Sequence, residues 1–157
     1  MTREEKFMME AIGLSKKGSE NGEGGPFGCV IVKDDKIVGR GNNKVTSAND
    51  PTAHAEVVAI RDACKTLDTF QLDGCEIYTS CEPCPMCLGA IYWARPKVIY
   101  YANNRADAAA IGFDDSMIYE ECNKPINERK IPMLSIARNE AVKVFDDWQA
   151  NGDKTLY

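Results

Sequence analysis

Two cysteines near the middle of the chain are spaced so that they could bind one metal ion. The segment Cys84-Pro85-Met86-Cys87 places its thiols three residues apart, and on a helix that spacing puts both on one face. Pro85 suits the first helical turn, where its missing N–H costs nothing. The positive end of the helix dipole then favours the thiolates that zinc requires. The pair alone is also compatible with a redox dithiol or with half of a four-cysteine structural site.

His54 is the only histidine in the chain and adds a third candidate ligand. One nitrogen and two sulfur ligands, with a fourth position left for water, match the open geometry of a catalytic zinc, whereas a structural site closes with a fourth protein ligand. Cys81 is the one candidate for that closure, but Pro83 disfavours a continuous helix between it and the pair. We therefore expect one Zn²⁺ per subunit, with a bound water, held by His54, Cys84 and Cys87. The alternative for His54 is a hydrogen-bonded structural histidine.

Glu56 follows His54 by two residues and is the candidate for moving protons. Residues two apart on a helix do not share a face, so Glu56 can point at the water without occupying a metal position. Zinc would lower the pKa of that water toward neutrality, and Glu56 would take its proton and deliver it to a departing amine. A lone glutamate is otherwise a solvated surface residue. His-x-Glu followed by Pro-Cys-x-x-Cys is the signature of zinc deaminases.

The pattern of apolar residues predicts the elements that position these groups. Spacings of three and four predict helices, and short runs rich in β-branched residues predict strands. A strand, helix, strand, helix order favours an α/β layered domain. The predicted helices cover residues 4–17, the segment from 51 to 67, residues 83–93 and residues 139–149. The predicted strands cover residues 27–32 and 37–39, which form a hairpin, and residues 75–79, 97–101 and 132–137.

Length, charge and cysteine content limit the classes of protein that fit. A chain of 157 residues with 44% hydrophobic content can bury one ordinary core, so we expect a single domain over residues 1–157. A net charge of -5 argues against nucleic acid as a partner and favours a small-molecule substrate. No apolar run is long enough to span a membrane, and the first ten residues lack the pattern of a secretory signal. Seven cysteines are then best explained as thiols or metal ligands, which favours the cytoplasm.

Several blocks of the sequence resemble the cytidine-deaminase-like superfamily and, within it, the bacterial guanine deaminases. The blocks are residues 24–28, 49–56, 79–91 and 112–115, with Asn42 between the first two. The Gly-Phe-Asp-Asp block at 112–115 and the terminal Tyr157 favour guanine over other purines. The resemblance implies a three-layer α/β/α domain with a central five-stranded mixed sheet. It also implies a homodimer in which the C-terminal helix and tail, residues 139–157, are exchanged and cover the partner's pocket.

The same resemblance suggests which residues contact a purine. Phe27 would stack on the base, Asn42 and the backbone N–H of Ala55 would bond its ring acceptors, and Asp115 and Tyr157 would line the pocket. Ordinary structural roles compete with these. Phe27 could belong to the core, Asn42 could hold a turn, Asp115 could cap a helix, and Tyr157 could be a disordered last residue.

The reaction implied by the resemblance is zinc-dependent hydrolysis of guanine to xanthine and ammonia, a step of purine catabolism. A guanosine deaminase is the nearest alternative, because the same metal site could serve a more open pocket. A tRNA adenosine deaminase shares the metal motifs, but a basic surface for RNA would be expected beside them. A non-enzymatic zinc-stabilised module is the alternative from a different class, and it gives no reason for Glu56 beside the metal histidine.

Overall fold

The computed structural model describes residues 1–157, which form seven α-helices and four β-strands. Most of the elements follow the sequence predictions, with shifted ends. Two short helices, at Val45–Ala48 and Arg105–Ala110, were not predicted individually. In chain order the elements are α1 (Arg3–Glu20), β1 (Gly28–Lys33), β2 (Lys36–Asn42), α2 (Val45–Ala48), α3 (Ala55–Leu67), β3 (Glu76–Cys81), α4 (Pro85–Ala94), β4 (Val98–Asn103), α5 (Arg105–Ala110), α6 (Ser116–Asn123) and α7 (Arg138–Ala150), with a 3-10 turn at Ile126–Glu128.

The four strands form one mixed sheet in the order β2-β1-β3-β4. Strand β1 pairs antiparallel with β2 and with β3, whereas β3 and β4 are parallel. The β1–β2 hairpin turns at Asp34 and Asp35, which have φ angles of 48° and 60°. Positive φ at both central residues is what a two-residue hairpin turn requires, because that turn matches the twist of the strands. Parallel β3 and β4 need a crossover, and α4 lies between them in the chain.

The sheet is covered by helices on both faces. Val30, Val32 and Tyr78 point to one side and are fully buried together with Ala11 of α1. Alternate residues on the same strands, such as Cys29, Ile31 and Ile77, pack on the other side against α3 and α4. This is the period of two expected for strands buried on both faces. The site residues described below lie on the second face, at the N-terminal ends of α3 and α4.

A close approach of the sheet to α3 depends on a glycine in β2. A Cβ on Gly41 would collide with the carbonyl oxygen of Ala55 and with the backbone nitrogen of Ala59. The position that a side chain would occupy at Gly41 therefore faces the first turns of α3. Since side chains alternate along a strand, this fixes which neighbours of Gly41 face the site.

The prediction of a five-stranded sheet is wrong for this chain, because the sheet has four strands. The predicted strand at residues 132–137 has no regular structure, and Leu134 and Ile136 on this stretch are at least 85% exposed. A β-prone sequence describes a segment that fits a pleated surface, but the segment becomes a strand only where another strand pairs with it. Strand β4 consequently forms one edge of the sheet.

Backbone contacts divide the chain into two compact units, Met1–Asp115 and Ser116–Tyr157. The first contains the sheet and helices α1 to α5. The second contains α6, the 3-10 turn, α7 and the tail, and none of its residues is fully buried. None of the helices combines the length and the apolar character needed to cross a bilayer.

Candidate metal centre and active site

The three predicted metal ligands meet where two helices begin. His54 is the N-cap residue of α3, and Cys84 is the N-cap of α4, where Pro85 occupies the first helical position as expected from the sequence. Cys87 lies in the first turn of α4, and its backbone N–H donates to the Cys84 sulfur at 3.5 Å. The N-terminal ends of two helix dipoles therefore face the cluster and favour negative charge on the sulfurs.

The geometry of the cluster fits a tetrahedral zinc ion. The His54 Nδ1 atom lies 3.5 Å from the sulfur of Cys84 and 3.5 Å from that of Cys87, and the three donor atoms all lie within 4.8 Å of one another. Zinc bound at about 2.3 Å to sulfur and about 2.1 Å to nitrogen would hold such a pair about 3.6 Å apart in tetrahedral coordination. One histidine and two cysteines leave the fourth position to a small ligand.

Hydrogen bonds within the cluster shift the pKa values of its three donor groups in different directions. The hydrogen bond with Cys87 stabilises the thiolate of Cys84, and with the help of His54 it lowers the pKa of Cys84 to about 4, although burial opposes this. The same hydrogen bond raises the pKa of Cys87. Hydrogen bonding to Cys84 likewise raises the pKa of His54. Zinc competes with protons for these donor atoms, so its binding depends on pH.

Cys81, the one candidate for a fourth protein ligand, is not part of the cluster. Its thiol donates instead to the carbonyl oxygen of Asn104 at 3.8 Å. All seven cysteines are free, and Cys29, Cys75 and Cys81 are buried. The arrangement therefore corresponds to the open type of zinc site and not to the closed structural type.

Glu56 lies beside the cluster in the first turn of α3 and is 6% exposed. The hydroxyl of Thr79 donates to its Oε1 atom at 3.0 Å, and the carboxyl group also interacts with the thiol of Cys87. Burial raises the pKa of Glu56 above its ordinary value. A raised pKa brings a carboxyl group closer to the pH at which it can both accept and return a proton.

Phe27 directly precedes β1 and lies on the face of the sheet that packs against α3. Its ring packs partly against the core cluster on that face and makes an edge-to-face contact with Phe113, with the ring centres 5.0 Å apart. A Cβ on Gly25 would touch both rings. Sequence analysis had placed Phe113 only within a family block. The structure makes it the neighbour of the candidate stacking residue.

Asn42 is turned toward α1. Its Nδ2 atom donates to the carboxylate of Glu23 at 2.8 Å, and a Cβ on Gly18 of α1 would collide with this amide. The next residue, Asn43, directly follows β2. By alternation it lies on the same face as Gly41, which is the face that meets α3. Asn43 is 5% exposed.

Asn43 was missed by the sequence analysis, although one signal could have found it. Its Oδ1 atom accepts hydrogen bonds from the backbone N–H groups of Gly25 and Val45, at 3.3 and 3.1 Å. Its own N–H donates to the carbonyl oxygen of Phe27 at 3.0 Å. Had the predicted strand been extended to Asn42, simple alternation from Gly41 would have placed Asn43 on the face of α3.

The other predicted substrate contacts are placed as follows. Ala55 is the first residue of α3 and fully buried, so its N–H belongs to the helix-terminal group that has no acceptor within the helix. The Asp115 carboxylate lies 3.5 Å from Nε of Arg105. Tyr157 belongs to the second unit, where it is 70% exposed.

Comparison with known proteins identifies the family. Residues 1–103 match the family described as the cytidine and deoxycytidylate deaminase zinc-binding region. The chain therefore belongs to this family of zinc-binding deaminases. Within it, the chain is 56% identical over 153 residues to guanine deaminase from Bacillus subtilis, covering 98% of each sequence.

Two solved structures and a second relative are also similar to this chain. The crystal structure of the Bacillus subtilis guanine deaminase matches with a TM-score of 0.95 over 98% of each chain. A mutant protein solved in complex with 8-azaguanine matches with a TM-score of 0.67 and 36% identity, over 73% of this chain and 65% of that one. A tRNA-specific adenosine deaminase from Aquifex aeolicus is 41% identical over 108 residues, covering 68% of this chain and 71% of the relative.

Proposed function

We propose that this protein hydrolyses guanine to xanthine and ammonia. The single observation that carries the proposal is a buried carboxyl group, Glu56, beside a His54, Cys84 and Cys87 cluster whose spacing fits zinc. The full-length similarity to a guanine deaminase supports guanine as the substrate. Guanine and water together supply all the atoms of xanthine and ammonia, so the reaction needs no further reactant.

In this proposal His54, Cys84 and Cys87 hold the zinc ion. When bound, zinc supplies a water molecule whose pKa is lowered toward neutrality. Glu56 accepts a proton from the attacking water as the new C–O bond forms at C2 of the purine. It then donates that proton to the exocyclic nitrogen, whose bond to C2 breaks as ammonia leaves. Burial supports this role, because it raises the pKa of Glu56 and so makes its carboxylate a stronger base toward the proton of the water.

We also propose how the purine is held. Phe27 stacks on the ring, and the N–H of Ala55 donates to a ring acceptor. Asp115 and Tyr157 line the rest of the pocket. Asn42 was the predicted partner for the ring acceptors, but the geometry favours the buried Asn43, because Asn42 bonds to Glu23 on the side of α1.

A homodimer with exchanged C-terminal segments is part of the proposal. The second unit exposes many large apolar side chains, which is typical of surfaces that bind another protein. Strand β4 has an open edge, and an open edge can pair with a strand from another chain. The large exposed apolar residues of the second unit include Ile131, Leu134, Ile136, Val144, Phe145 and Leu156.

The proposed location is the cytoplasm, where the free thiols remain reduced.

The substrate is tested by measuring ammonia release from guanine, guanosine, adenine and cytosine with purified protein of known zinc content. The expected result is conversion of guanine alone, with xanthine as the product. Conversion of guanosine but not guanine would overturn the assignment of the free base. Deamination of an adenosine-containing tRNA stem-loop in preference to guanine would place the chain with the tRNA deaminases.

Exchange of the tail is tested by complementation between two inactive chains. One carries Glu56→Ala with an intact tail, and the other lacks Tyr157 but keeps Glu56. If Tyr157 completes the partner's pocket, mixing the unfolded chains and refolding them with zinc restores activity to mixed dimers. Activity that stays absent in mixed dimers of confirmed composition would contradict the exchange. Sedimentation of the unmodified protein as a monomer would contradict the dimer itself.

A further inference from the structure

Thr79 lies on the catalytic face of the sheet although nothing in the metal signature requires it. It is in β3, directly opposite Cys29 of β1, and it alternates with Tyr78, which packs on the other face with α1. Its side chain is 1% exposed. The strand therefore presents one hydroxyl group to the beginning of α3, inside the protein and close to Glu56.

The contact that this hydroxyl makes is a hydrogen bond between two buried groups. Thr79 Oγ1 donates to Glu56 Oε1 at 3.0 Å, and Glu56 is 6% exposed. A buried carboxyl group without a hydrogen-bond donor would pay a large desolvation cost. A β-branched side chain in a strand has few accessible rotamers, so the hydroxyl is a fixed point on a rigid element.

A glutamate side chain has several rotatable bonds, and a proton carrier must hold its carboxyl group in one orientation. Glu56 begins on α3, whereas Thr79 belongs to the central strand β3. The hydrogen bond therefore ties the end of the Glu56 side chain to a second, independent element. The carboxyl group also interacts with the Cys87 thiol of the metal cluster, so it lies between the strand and the cluster.

We infer that Thr79 is a positioning residue that anchors Oε1 of Glu56 and thereby holds the second oxygen, Oε2, in one orientation to accept and return the proton. The hydroxyl of Thr79 donates to Oε1 whether Oε2 is ionised or protonated, so the anchor persists through both halves of the proton transfer. Thr79 itself exchanges no proton with the substrate. This inference rests on the proposed role of Glu56, and it adds a residue outside the metal signature to the machinery of the reaction.

The test compares Thr79→Val with Thr79→Ser. Valine keeps the shape of threonine but removes the donor, and serine keeps the donor but removes a methyl group. We expect Thr79→Val to lower kcat about 10- to 100-fold, because small misplacements of a catalytic group have effects of this order. The KM for guanine should change by less than about twofold, because the hydroxyl of Thr79 is bonded to Glu56 and has no proposed contact with the base. Thr79→Ser should retain most of kcat.

Two comparisons separate positioning from a general structural defect. In a Glu56→Ala background, Thr79→Val should lower the residual rate no further, because the group it positions is already gone. Ser80→Ala is the matched control, since Ser80 is the adjacent buried hydroxyl of the same strand and accepts from the backbone N–H of Gly28 at 3.0 Å. It should lower thermal stability and leave kcat within about twofold. Zinc content is measured for every variant.

The inference is overturned if folded, zinc-loaded Thr79→Val keeps a kcat within twofold of the unmodified chain, or if Thr79→Ser loses as much as Thr79→Val. A crystal structure of zinc-loaded Thr79→Val provides a readout independent of turnover. We expect the Glu56 carboxyl group to leave its position or to occupy several. An unchanged, well-ordered Glu56 would also overturn the inference. A protein that deaminates no base would end the proposed function, whereas this structural comparison would still decide whether Thr79 positions Glu56.

Discussion

Glu76 has no role in the proposed reaction, but we expect it to contribute strongly to folding stability. It lies at the start of β3 and is 7% exposed. Its carboxylate accepts hydrogen bonds from Arg3 at 2.8 Å and from the hydroxyl of Tyr78 at 2.7 Å, and it pairs with Lys97 at 2.8 Å. The three partners come from α1, from β3 itself and from the segment before β4. Glu76→Gln would remove the charge that they share.

The magnitude follows from the ionisation of this carboxyl group. Burial opposes its charge, but the bonds from Lys97, Tyr78 and Arg3 outweigh burial and lower the pKa of Glu76 from 4.5 to about 2. By linkage, a difference of this size between the unfolded and folded chain corresponds to about 3 kcal/mol of stability at neutral pH. Solvent screening of the half-exposed Lys97 and Arg3 reduces this to about 2 kcal/mol.

The sign of the pH dependence is fixed by the direction of the shift. Because the folded chain holds the pKa of Glu76 below its unfolded value, the stabilisation is complete above pH 4.5 and disappears as the pH falls toward 2. The unmodified protein should therefore be about 2 kcal/mol more stable than Glu76→Gln at pH 7. The difference should shrink steadily below pH 4.5.

The assay is urea unfolding of both chains between pH 7 and pH 3, with the same zinc content. Any loss of zinc in acid affects both chains, so the difference between them isolates Glu76. Glu10→Gln, which changes an exposed glutamate of α1, is the control and should change stability by less than about 0.5 kcal/mol. A difference of the same size at pH 7 and pH 3 would refute the reasoning, because it would show that packing and not charge is responsible.

Three further predictions concern the site and its support. Glu56→Ala should fold and retain zinc while kcat falls by about 10² to 10⁴; substantial turnover in the zinc-loaded variant, measured as ammonia release, would contradict the role of Glu56. Gly41→Ala should destabilise the chain by about 3 kcal/mol in urea unfolding, because the new Cβ meets the backbone of α3. Gly13→Ala, where nothing lies within 4 Å, is its control and should stabilise α1 by up to about 1 kcal/mol. Removing zinc with a chelator should abolish turnover and lower the melting temperature, and only added zinc should restore both; activity that survives complete removal would exclude a metal-dependent reaction.

Local patterns sufficed for most of the elements and for the metal ligands. Helix α4 begins where Pro85 indicated, and the pair of cysteines lies on its first turn. The ends of elements were less well predicted, and the short strand expected at residues 37–39 extends as far as Asn42. That difference decides which asparagine faces the site, because successive residues of a strand point to opposite faces of the sheet. The family resemblance had supplied Asn42 without that information.

The fifth strand shows a different limit. Residues 132–137 have the composition of a strand, yet the sheet of this chain has four. A strand is stabilised by hydrogen bonds to a neighbour, and the presence of that neighbour is not encoded in the segment itself. A helix such as α1 carries its own hydrogen bonds and its own capping box at Thr2 and Glu5, so its local sequence is a better guide.

The sequence by itself determined the chemistry of the site. A single histidine, a glutamate two residues later and a Cys-x-x-Cys pair after a strand match the known signature of zinc deaminases, and their residue types suit metal binding and proton transfer. Tertiary structure alone decided the surroundings. The hydrogen bond from Thr79 to Glu56 and the turn of Asn42 toward α1 join residues 23 and 19 positions apart in the chain. Such contacts depend on strand register and on which face meets which helix, and neither is visible in a local pattern.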